Sequence, residues 1–388
     1  MKGAGGRALW VALGLSFAPA VSNGIGRFAY ALILPAMRDD LGWSYTEAGW
    51  VNTVNALGYL AGSVLMTRLV RFVGPRRLFV GGLLSTAAAV LASGLVRSYA
   101  ALLVLRGLAG IGGAFAFIAG GALAAELFVE HPHHAPAGIA LYFGGGGLGI
   151  LLSGVSLPWL FAARGPRAWD LAWVGLGVLS FAMCVPPLLS AARAPPVPIA
   201  PASARFRKWP LAPSLVGYFV SAVGSIIYMT FVVAWMRDRG AGPAGISAMW
   251  GALGLAIVLS PGLWRPALSR WRGGWPLAAA IAGCAAGAAI PLLSTAPAAM
   301  LCSAALFGGA FFIPPAAATE IARRSVPREA LGSALATYTV AFASGQPLGP
   351  LLAGAIADAT GTLFSSLLAA VVLMLLGAAL AARQKDLK

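Results

Sequence analysis

Acidic residues are scarce in this chain: Asp and Glu together number 11 among 388 residues, and all charged residues make up only 10%. Hydrophobic residues account for 59%. There is therefore too little polar surface to cover a water-soluble globule of this size. The composition excludes an ordinary soluble domain and predicts a protein surrounded by lipid.

Cysteine and histidine are also rare, with three of each. The cysteines stand alone in apolar surroundings, so neither a disulfide framework nor a zinc site is predicted. The histidines share one proline-bearing loop without the helical spacing that binds a metal. They are His131, His133 and His134. Nucleotide-binding loops are absent too, which argues against an ATP-driven pump. We expect no metal, no cofactor and no catalytic residues.

Long apolar runs, by contrast, are abundant. Twelve segments approach or exceed the length of about 20 mostly apolar residues that one helix needs to cross a bilayer. They lie near 8–36, 47–66, 78–96, 100–126, 137–162, 171–190, 211–236, 244–264, 275–293, 297–319, 330–356 and 362–382. The first run continues well past Ala20, so it predicts an uncleaved helix and not a removable signal peptide. The least certain break lies between Ser294 and Pro297.

The basic residues follow an alternating pattern along these runs. Nineteen of the 27 Lys and Arg residues fall in alternate gaps, six fall in the other gaps, and two lie inside the runs. Cytoplasmic loops of membrane proteins are enriched in Lys and Arg, so both termini are predicted to be cytoplasmic. The net charge of +16 sits in short loops and forms no single stripe, so we expect no nucleic-acid partner.

The chain divides into two similar halves. Residues 193–210 contain five prolines and four basic residues and predict an extended cytoplasmic linker. Six-span halves at 1–192 and 211–388 flank it. The first span of each half carries polar residues at i, i+4 and i+7, which share one face of an α-helix. These are Asn23, Arg27 and Tyr30 in one half, and Ser221, Ser225 and Tyr228 in the other.

Specific motifs resemble the major facilitator superfamily, and within it the bacterial YbfB/YjiJ-like branch. They are Gly-Ile-Gly-Arg-Phe-Ala-Tyr at 24–30, Leu-Pro at 34–35, and the RxxxGxG pattern that begins at Arg106. The loop after the second span resembles the family's basic gating loop at Gly74 and Arg76, although Arg71 replaces the usual Asp. The resemblance implies twelve helices in two pseudo-symmetric bundles, a monomer in the bacterial inner membrane, and alternating access.

Arg27 is the leading candidate for a substrate-binding residue. A charge at membrane depth costs from about 2.5 to more than 10 kcal/mol, so such a residue normally faces a cavity or a partner. Two interpretations remain open. Arg27 either anchors an anionic or strongly hydrogen-bond-accepting group of the substrate, or makes a structural hydrogen bond to carbonyls or to Asn52 and Asn55 of the second span.

The other candidates divide into two groups. Substrate-binding residues are predicted at Asn23, Tyr30, Asn52, Asn55, Ser225, Tyr228, Tyr338 and Gln346. Coupling or gating residues are predicted at Arg106, Glu126, Glu320, Gly74 and Arg76. Arg106 could equally fix helix packing, and both glutamates lie at cytoplasmic ends of spans, where pairing with loop arginines is the commoner outcome. No acidic residue lies at the centre of a span.

These observations predict a secondary transporter for a small organic solute, anionic if Arg27 binds it, in which proton coupling stays an open question. Facilitated diffusion by the same fold is the nearest alternative. An integral membrane enzyme is less favoured, because it would need acidic or histidine-containing clusters near one interface. A membrane module without transport activity is the third alternative. The sequence does not indicate the solute or the direction of transport.

Overall fold

A computed structural model describes residues 4–130, 135–197, 206–327 and 330–387. Those residues are almost entirely helical and include no β-strand. The helices are α1 (Ala4–Pro19), a π-helix (Ala20–Phe28), α2 (Tyr30–Leu41), α3 (Tyr45–Val73), α4 (Pro75–Ser93), α5 (Tyr99–Glu126), α6 (Ala135–Arg164), α7 (Trp169–Arg193), α8 (Ala212–Asp238), α9 (Pro243–Arg270), α10 (Trp275–Leu293), α11 (Pro297–Phe311), α12 (Ile313–Ser325), α13 (Leu331–Gly345), α14 (Leu348–Thr360) and α15 (Leu363–Ala382).

Eleven helical runs in the described part of the chain are long and apolar enough to cross a membrane. They match eleven of the twelve predicted spans. The remaining prediction, 78–96, corresponds to α4, a helix of 19 residues that is not among the eleven. The predicted break after Ser294 is confirmed, because α10 ends at Leu293 and α11 begins at Pro297. The all-helical membrane fold is therefore confirmed, and the count of twelve spans stays a prediction.

The first span is not a continuous α-helix. Its central part, Ala20–Phe28, is π-helical, and the Ala29 amide donates to the Gly24 carbonyl five residues earlier at 3.0 Å. Pro19, immediately before this segment, has no amide hydrogen to donate, and glycines weaken regular helix. Gly24 and Gly26 lie within it. Because π-helical turns are rare and concentrate at functional sites, this segment makes the first span a candidate for the functional site.

The described residues form two compact units. The first unit contains the described residues up to 197, apart from 43–53. The second contains Trp43–Thr53 and the described residues from 206 onward. The change from one unit to the other falls inside the predicted linker at 193–210, part of which lies outside the described residues. The start of α3 therefore groups with the second unit, although its sequence position is in the first half.

Glycines bring helices of the first unit into backbone contact. A Cβ atom added at Gly145 would lie 1.8 Å from the Ser16 carbonyl oxygen, and one at Gly149 would lie 2.2 Å from that of Ala20. At both positions the missing side chain allows α6 to lie directly against the backbone of the first span. Gly110 does the same between α5 and α3, where an added Cβ would lie 2.0 Å from the Asn55 carbonyl oxygen. The contact at Gly110 thus gives this glycine of the RxxxGxG pattern a packing role with a direct steric basis.

Loops that the alternating pattern assigns to one side meet at one end of the first unit. Asp40, after the first span, accepts a hydrogen bond from Trp169 Nε1 at 2.8 Å and pairs with Arg167 at 3.3 Å, after the fifth. Arg97, after the third, pairs with Asp170 at 3.7 Å. This clustering agrees with alternating helix directions. Which end faces the cytoplasm stays a prediction.

Replacing Gly149 with Ala should lower the free energy of unfolding by about 1–3 kcal/mol, because the new methyl group collides with the Ala20 carbonyl. Gly175→Ala on α7 is a matched control, since an added Cβ there has no neighbour within 4 Å. Thermal unfolding of both variants in detergent measures the difference. Equal melting temperatures would contradict close packing of α6 on the first span.

Candidate functional site

Arg27 lies within the π-helix and is only 3% exposed. Its guanidinium carbon is 5.5 Å from the ring centroid of Phe28 and 5.6 Å from that of Tyr59 on α3. Both distances fall in the range of cation–π contacts, which strengthen when the partners are removed from water. The guanidinium is thus held beside aromatic rings within the interior of the first unit.

The π-helix changes which side chains share a face with Arg27. The i, i+4, i+7 prediction for Asn23, Arg27 and Tyr30 assumed α-helical geometry, but residues 20–28 hydrogen-bond five residues apart. Asn23 is buried, with 5% exposure. Tyr30 stacks on Trp173 of α7 with 6.4 Å between ring centroids. Arg27 therefore contacts α3 while Tyr30 contacts α7.

Arg106 on α5 is completely buried. Its Nη2 donates a 2.7 Å hydrogen bond to the carbonyl of Gly26, and its guanidinium carbon lies 4.9 Å from the Trp173 ring centroid and 5.8 Å from that of Tyr30. Within the described part of the chain, Nε and Nη1 have no hydrogen-bond acceptor and no carboxylate pairs with this arginine. A packing role accounts for all of the contacts observed.

The two asparagines of α3 have different partners. Asn55 donates from Nδ2 to the carbonyl of Arg106 at 3.0 Å and so ties α3 to α5 in the first unit. Asn52 belongs to the second unit, where its Nδ2 donates to Thr230 Oγ1 of α8 at 2.7 Å. Each amide therefore has a structural hydrogen bond. Their predicted contact with substrate stays a prediction.

The equivalent polar residues of α8 also separate. Ser225 and Ser221 line a small cavity in the second unit, and the aromatic rings of Phe311 and Phe342 lie on its wall. Tyr228 instead donates its hydroxyl to Ser303 Oγ at 2.7 Å, because that serine donates its own hydrogen to the Gly287 carbonyl. In both repeats, then, the tyrosine packs between helices of its own unit, and the serines of the second repeat border open space.

Tyr338 and Gln346, on or beside α13, lie in different surroundings. The Tyr338 hydroxyl is 2.5 Å from Ser214 Oγ, which also donates to Gln384 Oε1 at 2.9 Å near the end of the chain. Tyr338 thus belongs to a polar cluster at one end of the second unit. Gln346 is buried at the junction between α13 and α14. These positions do not test the predicted substrate contacts.

Apart from the buried Arg106, the predicted coupling and gating residues lie at or near helix ends. Gly74 joins α3 to α4 with φ of +85°, a conformation that favours glycine. Arg76 donates from Nη2 to the Ala194 carbonyl at the end of α7. Glu320 pairs with Arg323 at 2.6 Å and also with Arg324. Glu126 is half-buried at the end of α5 and forms no ion pair with a described residue.

The three histidines lie outside the described residues, so the prediction that they bind no metal is untested. Trp173 was missed by the sequence analysis although its ring contacts both Tyr30 and Arg106. Aromatic residues near the ends of spans are usually interfacial, so its position gave no specific signal. The π-helix was also missed, because no pattern of residues in the first span distinguishes it from an α-helix.

A family described as the uncharacterised MFS-type transporter YbfB matches residues 19–382. The chain belongs to the major facilitator superfamily. As a member, it is a multi-pass membrane transporter and not an enzyme. This confirms the resemblance found in the motifs around Arg27 and Arg106. No curated protein matches the sequence significantly.

Solved transporters share this fold. The nucleoside transporter NupG, in a mutant form, has a TM-score of 0.70 at 11% identity, over 96% of this chain and 98% of that one. A bacterial homologue of the human lysosomal transporter Spinster, in an inward-facing, unoccupied conformation, has a TM-score of 0.70 at 16% identity, over 98% and 97%. The same homologue in its occupied conformation has a TM-score of 0.68 at 16% identity, covering 97% of both chains. At these identities, the likeness concerns the fold alone.

Tyr228→Phe should lower the free energy of unfolding by about 1 kcal/mol, because it removes one buried hydrogen bond and keeps the aromatic ring. Ser303→Ala should cost more, since it also removes the bond to the Gly287 carbonyl. The double variant should be no less stable than Ser303→Ala alone. Thermal unfolding of the three variants checks this, and fully additive losses would contradict a shared hydrogen bond.

Proposed function

We propose that this protein is a secondary transporter that carries a small anionic organic solute by alternating access and holds the solute's anionic group at Arg27. We further propose that it works as a monomer in a bacterial inner membrane, with both termini in the cytoplasm. The burial of Arg27 in a π-helical segment of the first span is the observation on which the proposal rests.

The electrostatics of the first unit favour an anionic ligand. Two guanidinium groups, those of Arg27 and Arg106, are removed from water in the same unit, and their charges repel each other. A carboxylate or phosphate group brought close to Arg27 lowers this repulsion. Arginine also offers a planar fork of donors that matches a carboxylate with two parallel hydrogen bonds. An anionic solute therefore gains more from this site than a neutral one.

The duplicated sequence pattern supports transport between two halves. The first span of each half carries the repeated polar residues, and parallel repeats of six spans are typical of transporters with a midplane site. Ser225 borders a cavity with apolar and aromatic walls. Walls of this kind suit the hydrocarbon part of an organic solute.

Facilitated diffusion of the same anion is a second candidate, favoured by where the carboxylates lie. No acidic residue is at the centre of a predicted span. Glu320 is already paired with two arginines of its own helix, and Glu126 lies at the end of α5. A proton-coupled mechanism without a carboxylate at membrane depth would have to move its proton on another group, such as the solute itself.

Arg27→Gln should abolish solute uptake, because it removes the positive charge and keeps a polar side chain of moderate size. Arg27→Lys should retain partial activity, since it preserves the charge but not the planar fork. Uptake into proteoliposomes of a panel of carboxylates, phosphate esters, amines and neutral solutes measures both. Arg239→Gln is the matched control, because that exposed arginine also stacks on an aromatic ring, Trp235.

Only anions should be taken up in a manner that depends on Arg27. Uptake that the Gln variant preserves, or uptake confined to neutral or cationic solutes, would contradict anion binding at this residue. Thermal unfolding of each variant without solute separates loss of binding from loss of folding.

The same vesicles distinguish coupled from uncoupled transport. Moving one net charge through 100 mV changes the free energy by about 2.3 kcal/mol, so uniport of an anion should respond strongly to an imposed potential. Symport of a monovalent anion with one proton should instead respond to a pH gradient and not to the potential. Measuring initial rates under each gradient separately assigns the mechanism, and a response to neither gradient would exclude both.

A further inference from the structure

Arg106 forms a hydrogen bond with the residue directly before Arg27. Its Nη2 donates to the carbonyl oxygen of Gly26 at 2.7 Å. Gly26 directly precedes Arg27, and both belong to the π-helix. A hydrogen bond from a charged donor is stronger than one between neutral groups, particularly away from water. The peptide group that leads into Arg27 is therefore attached to α5 through the Arg106 side chain.

The helix around this peptide group departs from regular geometry. The Ala29 amide bonds five residues back, to Gly24 at 3.0 Å, whereas the Leu32 amide bonds only three residues back, to Ala29 at 3.1 Å. The spacing of hydrogen bonds thus changes twice within a short stretch of the first span. Because an unusual backbone of this kind persists only where its surroundings determine it, an external donor can help to select the π-helical pairing.

Arg106 has contacts through both its side chain and its backbone. Its guanidinium lies against the Trp173 ring at 4.9 Å, and its carbonyl accepts a 3.0 Å hydrogen bond from Asn55 Nδ2. On the other side of the bond, Gly26 has no space to move its Cα toward α4, because an added Cβ would lie 2.9 Å from Thr86 Cγ2. Donor and acceptor are each fixed by a neighbouring helix of the first unit.

We propose that Arg106 is a positioning residue for Arg27: it fixes the Gly26 carbonyl, selects the π-helical pairing of residues 20–28, and thereby sets the direction in which the Arg27 guanidinium points. This inference rests on the proposed function, in which Arg27 binds the anionic group of the solute. Arg106 itself makes no contact with the solute.

The first test follows the backbone and needs no solute. Amide hydrogen exchange of the full-length protein in detergent, read by mass spectrometry, compares the wild type with Arg106→Met, Arg106→Lys and Gly26→Ala. Arg106→Met should speed exchange in peptides covering residues 20–32 by about tenfold, equivalent to about 1.4 kcal/mol of lost local stability. Arg106→Lys should restore part of the protection, because it keeps a charged donor. Gly26→Ala should resemble Arg106→Met, since its methyl group displaces the acceptor.

Arg239→Met is the control for loss of an arginine stacked on an aromatic ring, and it should leave residues 20–32 unchanged. Unchanged exchange in that segment of Arg106→Met would overturn the inference. Faster exchange spread equally over α5 and α7 would also overturn it, because that result describes general loosening of the unit and not a local effect on the π-helix.

The second test asks whether Arg106 acts through Arg27. Acetate, succinate, benzoate and inorganic phosphate are each titrated against thermal unfolding of the wild type, Arg106→Met, Arg27→Lys and the double variant. The half-saturating concentration of a stabilising anion should be about tenfold higher for Arg106→Met than for the wild type. It should differ little between Arg27→Lys and the double variant. Equal weakening in both backgrounds would overturn the inference. Should no anion stabilise the wild type, the proposed function fails for these anions, and the exchange result alone decides the role of Arg106.

Discussion

The first unit depends on one constraint, namely that two guanidinium groups, those of Arg27 and Arg106, are buried among its helices. Burying an ionised side chain is expensive unless donors, acceptors or aromatic faces replace water. For Arg106, water is replaced by a hydrogen bond to the Gly26 carbonyl and by cation–π contacts with the rings of Tyr30 and Trp173. This carbonyl belongs to the π-helix that carries Arg27. The hydrogen bond of Arg106 is therefore made to the backbone beside Arg27.

Close helix packing makes that arrangement possible. The Gly26 carbonyl lies within hydrogen-bond distance of Arg106 on α5, and the first span packs closely on α6 at Gly145 and Gly149. In lipid there is little hydrophobic force between helices, so tight backbone contact has to supply much of the attraction. The glycine-rich stretch of α6 therefore supports the site without contributing a side chain to it.

Much of the fold could be predicted from the sequence, because a spanning helix must be long, apolar and internally hydrogen-bonded. The break before Pro297 followed from turn-forming residues, and the family followed from the motifs around Arg27 and Arg106. The contacts of the candidate site could be predicted less well. The stripe through Asn23, Arg27 and Tyr30 assumed α-helical spacing, whereas tertiary contacts decide whether a helix adopts π-helical pairing. Nothing in the sequence linked Trp173 to Arg106, since their proximity arises only when α5 and α7 pack.

The two repeats show how a duplicated pattern can diverge in chemistry. Tyr30 and Tyr228 occupy equivalent positions, and each packs against an aromatic ring of its own unit, Trp173 in one case and Phe307 in the other. The middle position of the repeated pattern differs, being Arg27 in a π-helix and Ser225 in a regular α-helix. Ser225 is uncharged, and its hydroxyl donates to the Ala222 carbonyl of the same helix. The second unit therefore has no buried charge to stabilise at this position. At this position of the repeated pattern, the positive charge and the π-helical backbone that carries it thus occur in the first repeat and not in the second.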